Sequence, residues 1–385
     1  MRRTARTAVA AALAAALLGG TAADVDAGTG RAPDDRVRHA LDRLMDGPNA
    51  PEGAFVLVQK GGHSRAFRAG VADVTTGRPI TRGMHMRIAS TAKAYSGAVV
   101  LSLVERGVLK LGDTIGERLP WAPRAWRRVT LRQALHHTSG LPDFSATKKF
   151  RTYLLAHLDK APGHRRLLGF AAHKPLEFRP GSRFGYSNSD NVVAALMVED
   201  ATGRSYESVL ARRVLRPLRL HNTSLPRGTF LRRPRIHGYD RDDGALVDVT
   251  SVFAAGYAWA SGGMVSTPRD QNRFIRGYVG RALFDGETQS EQFTFRRGHS
   301  EPPGPGTNTA GLAVFRYRTP CGTVYGHTGN TAGYTQFMAA SKNGRTSAVV
   351  SVNAQITPDT KPAAFHRLRT VFRTAVCAAF ATHAS

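Results

Sequence analysis

Acidic residues are scarce in this chain of 385 residues. Its 28 aspartate and glutamate residues face 54 lysine and arginine residues, which gives a formal net charge of +26 at pH 7. Such an excess favours an anionic partner. The arginines are spread evenly, however, and no basic run alternates with aromatic residues that could stack on bases, so nucleic-acid binding is not indicated. Electrostatic attraction to an anionic cell envelope fits the charge better.

Cysteine and metal-ligand motifs are also rare. The two cysteines, Cys321 and Cys377, predict one disulfide in an exported chain, with two buried free thiols as the less favoured alternative. There is no His-Glu-x-x-His motif, and His136 and His137 are adjacent rather than four residues apart. We therefore expect no metal and no cofactor, and we interpret the histidine pair as part of a polar turn.

Long apolar runs are absent after the N-terminus, so no membrane span is predicted. The chain begins with Met1, Arg2 and Arg3, continues through an uncharged run at 7–18 and reaches small residues at 19–23. This order is typical of a signal peptide, which we place at residues 1–23. No cysteine follows the run, so a lipid anchor is not expected. The mature protein, 24–385, is predicted to be secreted, either extracellular or associated with the cell wall.

What the sequence does contain is a Ser-x-x-Lys motif, Ser90 to Lys93, at the start of a predicted helix. Residues three apart share one face of a helix, so the lysine amine is expected beside the serine hydroxyl. Residues 94–104 are apolar on nearly every side, which predicts a buried helix. Burial lowers the pKa of a lysine, and a neutral lysine can act as the base that activates a serine.

The same spacing occurs a second time, from Ser145 to Lys148. That copy opens a polar stretch, and we interpret it as an ordinary helix cap followed by solvated lysines. The surroundings and the companion motifs therefore favour the first copy as the catalytic one.

Two companion motifs follow, Tyr186-Ser187-Asn188 and His327-Thr328-Gly329. Tyrosine can act as a second acid or base, and the third motif lies on a predicted apolar strand that could bind an acyl substrate. Each motif alone could be a packing or turn element. Together with Ser-x-x-Lys they indicate a serine acyl-transfer enzyme.

The two ends of the chain supply the predicted sheet. Hairpins are expected at Gly61-Gly62 and Asn343-Gly344, with strands near 313–317, 323–326, 334–339 and 347–352. The middle of the chain reads mostly as helices and loops. We predict an α/β (α+β) fold in which an antiparallel sheet flanked by helices, about 34–108 and 260–385, carries a mostly helical subdomain, about 109–259. The three motifs should meet at the junction, where clefts are common.

These motifs, with the segments 131–141 and 262–267, resemble those of the β-lactamase-like serine hydrolases. The nearest resemblance, over almost all of the mature chain, is to secreted D-alanyl-D-alanine carboxypeptidases related to class C β-lactamases. It implies that Ser90 is the acylated nucleophile, Lys93 its base, and Tyr186 a partner acid or base whose phenolate is favoured by nearby cations.

The resemblance also implies the residues that bind the substrate. Asn188 would bind the substrate amide, and Thr328 and Gly329 would hold the substrate backbone. The backbone N–H groups of Ser90 and Asn330 would form the oxyanion hole. The cysteine pair is a further likeness to this branch.

Two departures from the family pattern bear on specificity. Class C β-lactamases usually carry lysine at the position of His327. Because the charge of a histidine changes near pH 6.5, activity is predicted to change between pH 5 and 8. The variant His327→Lys is predicted to abolish this pH dependence. Carboxypeptidases are expected to place arginine soon after a Gly-Leu pair, whereas Ala313 and Val314 follow it here. Arg316 and Arg318 are nearby but out of register.

The predicted activity is hydrolysis of D-alanyl-D-alanine peptides of peptidoglycan, with β-lactams as acylating inhibitors. An esterase or D-amino-acid amidase on the same scaffold is the alternative, followed by a β-lactamase. A non-catalytic peptidoglycan-binding or penicillin-sensing module is disfavoured because all three reactive residues are present. Tyr257 and Trp259, which precede Gly262-Gly263, either line the pocket or pack in the core.

Overall fold

A computed structural model describes residues 32–381, so the predicted signal peptide lies outside the described residues. The strands are β1 (Gly53–Lys60), β2 (His63–Asp73), β3 (Arg78–Pro79), β4 (Met86–Arg87), β5 (Tyr239–Asp242), β6 (Ala245–Asp248), β7 (Val265–Ser266), β8 (Arg296–Arg297), β9 (Thr307–Ala310), β10 (Phe315–Thr319), β11 (Gly322–Thr331), β12 (Tyr334–Ala340) and β13 (Thr346–Val352). Nine of them form one antiparallel sheet in the order β3-β2-β1-β13-β12-β11-β10-β9-β8.

The α-helices are α1 (Pro33–Met45), α2 (Ala92–Val104), α3 (Ile115–Arg118), α4 (Leu131–Leu135), α5 (Lys148–Ala156), α6 (His164–Gly169), α7 (Asn188–Thr202), α8 (Tyr206–Leu210), α9 (Trp259–Gly262), α10 (Pro268–Val279), α11 (Gly286–Gln292) and α12 (Pro362–Phe380). Short 3₁₀ turns lie at Ala89–Thr91, Arg124–Trp126, Phe144–Ala146 and Ala255–Tyr257, and a π-helical turn at Ala211–Leu215 follows α8. Within 32–381, no helix is both long and apolar enough to cross a bilayer.

The central strands are apolar without interruption because both faces of the sheet are covered. Side chains alternate between the two faces of a strand. Val56 of β1 therefore packs with α1 and α12 in one core, while Leu57 packs with α2 and α7 in the other. The larger core holds the whole of α2, whose residues from Ala92 to Leu103 are buried. The nucleophile helix is thus held rigidly between the sheet and the helical part of the chain.

The mixed α/β fold with a large antiparallel sheet is confirmed, as are both hairpins. The predicted disulfide is present too: Cys321 and Cys377, with Cα atoms 5.1 Å apart, join the start of β11 to α12. The third motif lies on a strand as predicted, and that strand, β11, continues beyond residue 326 to Thr331. One detail differs from the prediction: a β5–β6 hairpin interrupts the helical middle region. That hairpin turns at Asp243-Gly244, a pair that tolerates positive φ.

Candidate active site

Ser90 lies on a tight turn that connects β4 to α2. It is the middle residue of the 3₁₀ turn, and the residue before it, Ala89, has φ = +49°. A non-glycine residue in this left-handed region is strained, and such strain is typical of turns that present a catalytic group. Ala89 and Thr91 are buried, whereas Ser90 is partly exposed. The turn therefore offers one hydroxyl to the site from a fixed backbone.

The amine of Lys93 lies directly beside this hydroxyl. Its Nζ is 3.1 Å from Ser90 Oγ, 2.7 Å from Asn188 Oδ1 and 2.7 Å from the carbonyl oxygen of Ser261. The side chain is fully buried, and burial lowers the pKa of Lys93 to about 7, although Asp143, Glu301 and Asp190 act in the opposite direction. Much of the amine is therefore neutral near pH 7.

The two carbonyl oxygens fix the direction of the lysine lone pair. A neutral amine has two N–H donors and one lone pair, and an oxygen of Asn188 or Ser261 can only accept. With both donors used there, the lone pair faces Ser90, whose hydroxyl can donate to it. This is the arrangement that a general base requires.

Asp143 holds Asn188 in the orientation that this arrangement needs. The Asn188 Nδ2 group donates to Asp143 Oδ2 at 2.9 Å and to Ser145 Oγ at 3.0 Å, and the Asn188 backbone N–H donates to Asp143 Oδ2 at 3.1 Å. Because a carboxylate only accepts, the amide nitrogen must face Asp143 and the amide oxygen must face Lys93. Asp143, Asn188 and Lys93 thus form a chain that ends at Ser90.

The second Ser-x-x-Lys copy contributes to this chain in a way that the sequence did not reveal. Lys148 is exposed, as expected for a solvated lysine. The residue that caps α5 is Thr147, which accepts a hydrogen bond from the N–H of Phe150 at 3.1 Å. Ser145 instead supports Asn188, so its role differs from the predicted helix cap.

Tyr186 lies next to the same amine. The Lys93 Nζ is 4.9 Å from the centroid of its ring. The phenol oxygen is buried, and among residues 32–381 it has no hydrogen-bond partner of good geometry. Burial raises the pKa of Tyr186 well above its ordinary value, and Glu301 adds to the rise, while Ser90 partly offsets it. The expected phenolate is therefore wrong for the resting enzyme, because burial and the nearby acidic groups favour the neutral phenol of Tyr186.

The predicted turn at His136 and His137 is present, and both polar side chains are buried. His137 Nδ1 lies 2.7 Å from Asp190 Oδ2, and its ring centroid is 4.5 Å from that of Tyr186. Burial lowers the pKa of His137 to about 3 and raises that of Asp190 well above its usual range. The pair is thus a neutral, buried support behind the tyrosine ring.

The part of β11 that carries the third motif is paired on one side only. β12 pairs with β11 from Tyr325 to Thr331, but β10 pairs with it only as far as Gly326. Thr328 donates to the carbonyl oxygen of Pro302, and Asn330 Oδ1 accepts from Gln355 at 2.6 Å. The backbone beyond Gly326 is therefore available to bind an extended substrate as an added strand.

Gly329 lets this strand touch the nucleophile turn. A Cβ at this position would lie 2.7 Å from the backbone nitrogen of Ser90 and 2.8 Å from the carbonyl oxygen of Ile88. Only glycine permits so close an approach. The contact brings the expected oxyanion-hole donors, the backbone N–H groups of Ser90 and Asn330, to neighbouring positions on two elements.

His327 is not the pH-dependent charge that the sequence predicted. The ring is fully buried and lies 4.9 Å from Phe315, and its Nδ1 contacts the carbonyl oxygen of Thr328. The pKa of His327 is lowered to about 3, mainly by burial and in part by Lys93 and His137, while the contact with the Thr328 carbonyl oxygen opposes the change. The imidazole therefore stays neutral between pH 5 and 8.

Tyr257 and Trp259 are core residues. The Tyr257 hydroxyl donates to the carbonyl oxygen of His157 at 2.6 Å, and the indole N–H of Trp259 donates to Glu207 at 2.9 Å while its ring stacks on His164 at 3.7 Å. Both side chains are at most 2% exposed. Their contacts fit the packing alternative, so the expectation that they line the pocket is replaced.

Arg316, which lies near Ala313 in the sequence, is engaged away from the nucleophile. The Arg316 guanidinium lies 4.4 Å from the ring centroid of Phe295, and its Nε donates to Thr309 at 3.0 Å. Ala313 itself is buried and donates its N–H to the carbonyl oxygen of Leu135 at 2.8 Å. Position 313 is thus part of the packing around α2.

Sequence reasoning missed Asp143, Ser261 and Glu301 near Lys93 and the contact of Ser145 with Asn188. Asp143 and Ser145 lie at one 3₁₀ turn, Ser261 lies in α9 and Glu301 lies on the loop after β8. No spacing rule links these positions, and only the tertiary structure brings them together. In the part of the chain that the structure covers, 32–381, no group of three or more histidine, cysteine or acidic residues is arranged to hold a metal ion.

Comparison with known proteins agrees with this geometry. The sequence profile of the Beta-lactamase family matches residues 37–371. The chain belongs to the β-lactamase family. It is accordingly a serine hydrolase, as the motifs predicted.

The individual relatives are of two kinds, a penicillin-binding protein and amide hydrolases. Penicillin-binding protein 4* from Bacillus subtilis (strain 168) is 29% identical over 175 residues, which cover 44% of this chain and 37% of that protein. A D-stereospecific amidohydrolase from Streptomyces sp. has a TM-score of 0.76 at 25% identity, covering 89% of this chain and 98% of its own. A D-amino acid amidase from Ochrobactrum anthropi SV3, complexed with L-phenylalanine amide, shares the fold with a TM-score of 0.77 at 24% identity and the same two coverages.

Proposed function

We propose that this serine hydrolase cleaves amide bonds of D-amino-acid compounds through an acyl-enzyme formed on Ser90. The observation that carries the proposal is the buried Lys93 amine, 3.1 Å from Ser90 Oγ and with its pKa lowered to about 7. A neutral amine at this distance can accept the serine proton at the moment of attack.

Two proton transfers accompany the reaction. Ser90 Oγ attacks the carbonyl carbon while its proton moves to Lys93 Nζ, and the backbone N–H groups of Ser90 and Asn330 stabilise the oxyanion. The carbon–nitrogen bond then breaks, and the leaving amine takes a proton from the Tyr186 hydroxyl, which the protonated Lys93 restores. Water, deprotonated by the same pair of groups, hydrolyses the resulting ester.

The surroundings of the nucleophile favour an amidase over the carboxypeptidase that the sequence suggested first. A carboxypeptidase needs a cation for the terminal carboxylate, but position 313 is a buried alanine and Arg316 is held by Phe295 and Thr309. The charged groups that act on Lys93 are instead acids, with Asp143 and Glu301 foremost. The similarity to the Streptomyces D-stereospecific amidohydrolase supports this choice.

The D-alanyl-D-alanine carboxypeptidase remains the second candidate, because Penicillin-binding protein 4* is among the relatives. An assay that separates the two compares ammonia release from D-phenylalanine amide with D-alanine release from a peptide ending in D-Ala-D-Ala. We expect turnover of the amide that Ser90→Ala abolishes. Turnover of the peptide alone would favour the carboxypeptidase, and Ser90-independent turnover of both would contradict the acyl-enzyme.

Export to the cell surface is part of the same proposal. The N-terminal sequence at 1–23 and the excess of basic residues support a protein that leaves the cytoplasm and binds anionic wall polymers. Fractionation of cells should recover the mature chain outside the membrane, with less of it retained on walls as salt is raised. Retention in the cytoplasm would contradict this proposal.

A further inference from the structure

Glu301 lies on a loop that is fixed to the third motif. The loop follows β8, and Thr328 of β11 donates to the carbonyl oxygen of Pro302, the residue after Glu301. Ser300 Oγ donates to the same carbonyl oxygen at 3.1 Å and accepts from the Tyr317 hydroxyl at 2.9 Å. These hydrogen bonds hold the backbone on both sides of Glu301 beside the strand that would bind the substrate.

Glu301 is near enough to the catalytic groups for its charge to act on both Lys93 and Tyr186, and its loop is fixed to the strand of the third motif. Its charge interacts in turn with those of Asp143 and Asp359. The residue is half-buried, so one side of it remains open. Glu301 therefore lies at the edge of the cleft, close to the reacting atoms, and the mechanism above does not use it.

Within the described part of the chain this carboxylate has no hydrogen-bond or ion-pair partner, in contrast to its acidic neighbour. Asp143 accepts four hydrogen bonds, from the backbone and side chain of Ser145 and from the backbone and side chain of Asn188. Among residues 32–381, none donates a hydrogen bond to Glu301 or forms an ion pair with it. Desolvating a carboxylate without a partner is costly, and a bound cation would offset that cost.

The substrate bound at Ser90 and the acidic residues around it indicate which cation would pair with Glu301. The proposed reaction needs an acyl group beside Ser90, and in an amino-acid amide the carbon next to that acyl group carries an ammonium. Asp143, Glu301 and Asp359 give this side of the cleft an acidic character that would repel a substrate carboxylate. The whole chain, by contrast, has an excess of basic residues, so the acidic patch is local.

We propose that Glu301 binds the α-ammonium group of the substrate, which makes the enzyme selective for amino-acid amides with a free amino group over N-acylated peptides. The assignment rests on the proposed amidase function and names the substrate class of that site. Glu301 is a specificity-determining residue in this account, because it holds the substrate and takes no part in proton transfer.

The pH dependence of binding gives an independent readout. Burial raises the pKa of Glu301 to about 7, and Asp143 and Asp359 add to the rise, while Lys93 opposes it. Only the ionised carboxylate pairs with an ammonium, and the substrate's α-amino group itself loses its proton at about pH 7.7–8.0, so the KM for a free-amino substrate should pass through a minimum at about pH 7–8. The KM for an N-acylated substrate should not follow this titration.

The test compares D-phenylalanine amide with N-acetyl-D-phenylalanine amide as substrates of the full mature chain. In the wild type we expect a higher kcat/KM for the free amine. Glu301→Gln should lower the ratio of the two kcat/KM values by about 10- to 100-fold, mainly through KM, which is the usual range for a hydrogen bond to a charged group. Asp359→Asn, which removes a nearby exposed charge, is the matched control and should change the ratio less than about twofold.

Direct binding separates failure of this inference from failure of the proposed function. In a Ser90→Ala background, calorimetry should detect D-phenylalanine amide, and adding Glu301→Gln should weaken its binding by a similar factor. If the wild type hydrolyses neither amide but this binding is found, the amidase proposal fails and the ammonium site stands. An unchanged ratio or affinity in Glu301→Gln, equal losses in Asp359→Asn, or no binding at all would overturn the ammonium site.

Discussion

Replacing Asp143 by asparagine should move the pH profile of acylation to lower pH while it slows the reaction. Asp143 raises the pKa of Lys93 through its charge and orients Asn188 by accepting from its Nδ2. The variant removes the charge and places an NH₂ group where an acceptor is needed. Loss of a hydrogen bond to a charged group costs about 1.5–3 kcal/mol, so acylation should slow about 10- to 100-fold.

The size of the pH effect follows from the distance between the charges. Hydrogen bonds of 2.7 and 2.9 Å on either side of one amide put the Asp143 carboxylate roughly 7 Å from the Lys93 amine, which corresponds to about 1–2 kcal/mol at an effective dielectric constant of about 20–40. Removing the negative charge should therefore lower the pKa of Lys93 by roughly 1 to 2. Since the neutral amine is the base, activity rises with pH through this pKa, and the rise should occur at correspondingly lower pH.

The assay is the second-order rate constant for labelling by a fluorescent penicillin, measured from about pH 5 to 9 to span the titration of Lys93. Ser145→Ala is the matched control, because it removes the other acceptor of Asn188 Nδ2 without removing a charge. It should slow labelling modestly and leave the midpoint unchanged. An acidic limb in Asp143→Asn that stays in place or moves to higher pH would refute the assignment of Lys93 as the base.

Three further predictions test other parts of the site. Gly329→Ala would place a Cβ 2.7 Å from the Ser90 nitrogen, so the rate of labelling by the fluorescent penicillin should fall at least about 100-fold while the circular dichroism spectrum stays the same. In the control variant Gly62→Ala the new Cβ meets no atom within 4 Å, and the rate of labelling should equal that of the wild type. The ring of His327 should show no titration by NMR between pH 5 and 8, because burial lowers its pKa to about 3; a midpoint near 6.5 would contradict its buried, neutral state. Folding lowers the pKa of Lys93 from 10.5 to about 7, so the unfolded state binds more protons than the folded state between these two pH values. The difference in Tm between the wild type and Lys93→Met should therefore increase in favour of the wild type as the pH rises over this range. A Tm difference that does not change with pH would contradict the shifted pKa.

The fold was largely predictable because its signals are local. The hairpins at Gly61-Gly62 and Asn343-Gly344 depend on residues that adopt positive φ, and the apolar strands and α2 follow from runs that are buried on every side. The β5–β6 hairpin was missed although Asp243-Gly244 marks its turn, since the flanking strands are short and largely exposed.

The residues of the site could be predicted from the sequence only where a single motif contains both of the interacting groups. Ser90 and Lys93 are three residues apart, so helical geometry alone brings them together. Asp143 and Glu301 reach Lys93 from distant loops, and nothing in their local sequence marks them. The protonation states of Tyr186 and His327 were mispredicted for a related reason: the extent of burial decides both, and burial depends on the whole fold.

The central claim is that Ser90, activated by Lys93, carries the acyl group. Mass spectrometry of a proteolytic digest after incubation with a penicillin tests it most directly. The account predicts one covalent adduct on the peptide that contains Ser90, absent from Ser90→Ala and much slower to form in Lys93→Met. An adduct on another residue, or an adduct that forms equally fast in the Lys93 variant, would contradict it.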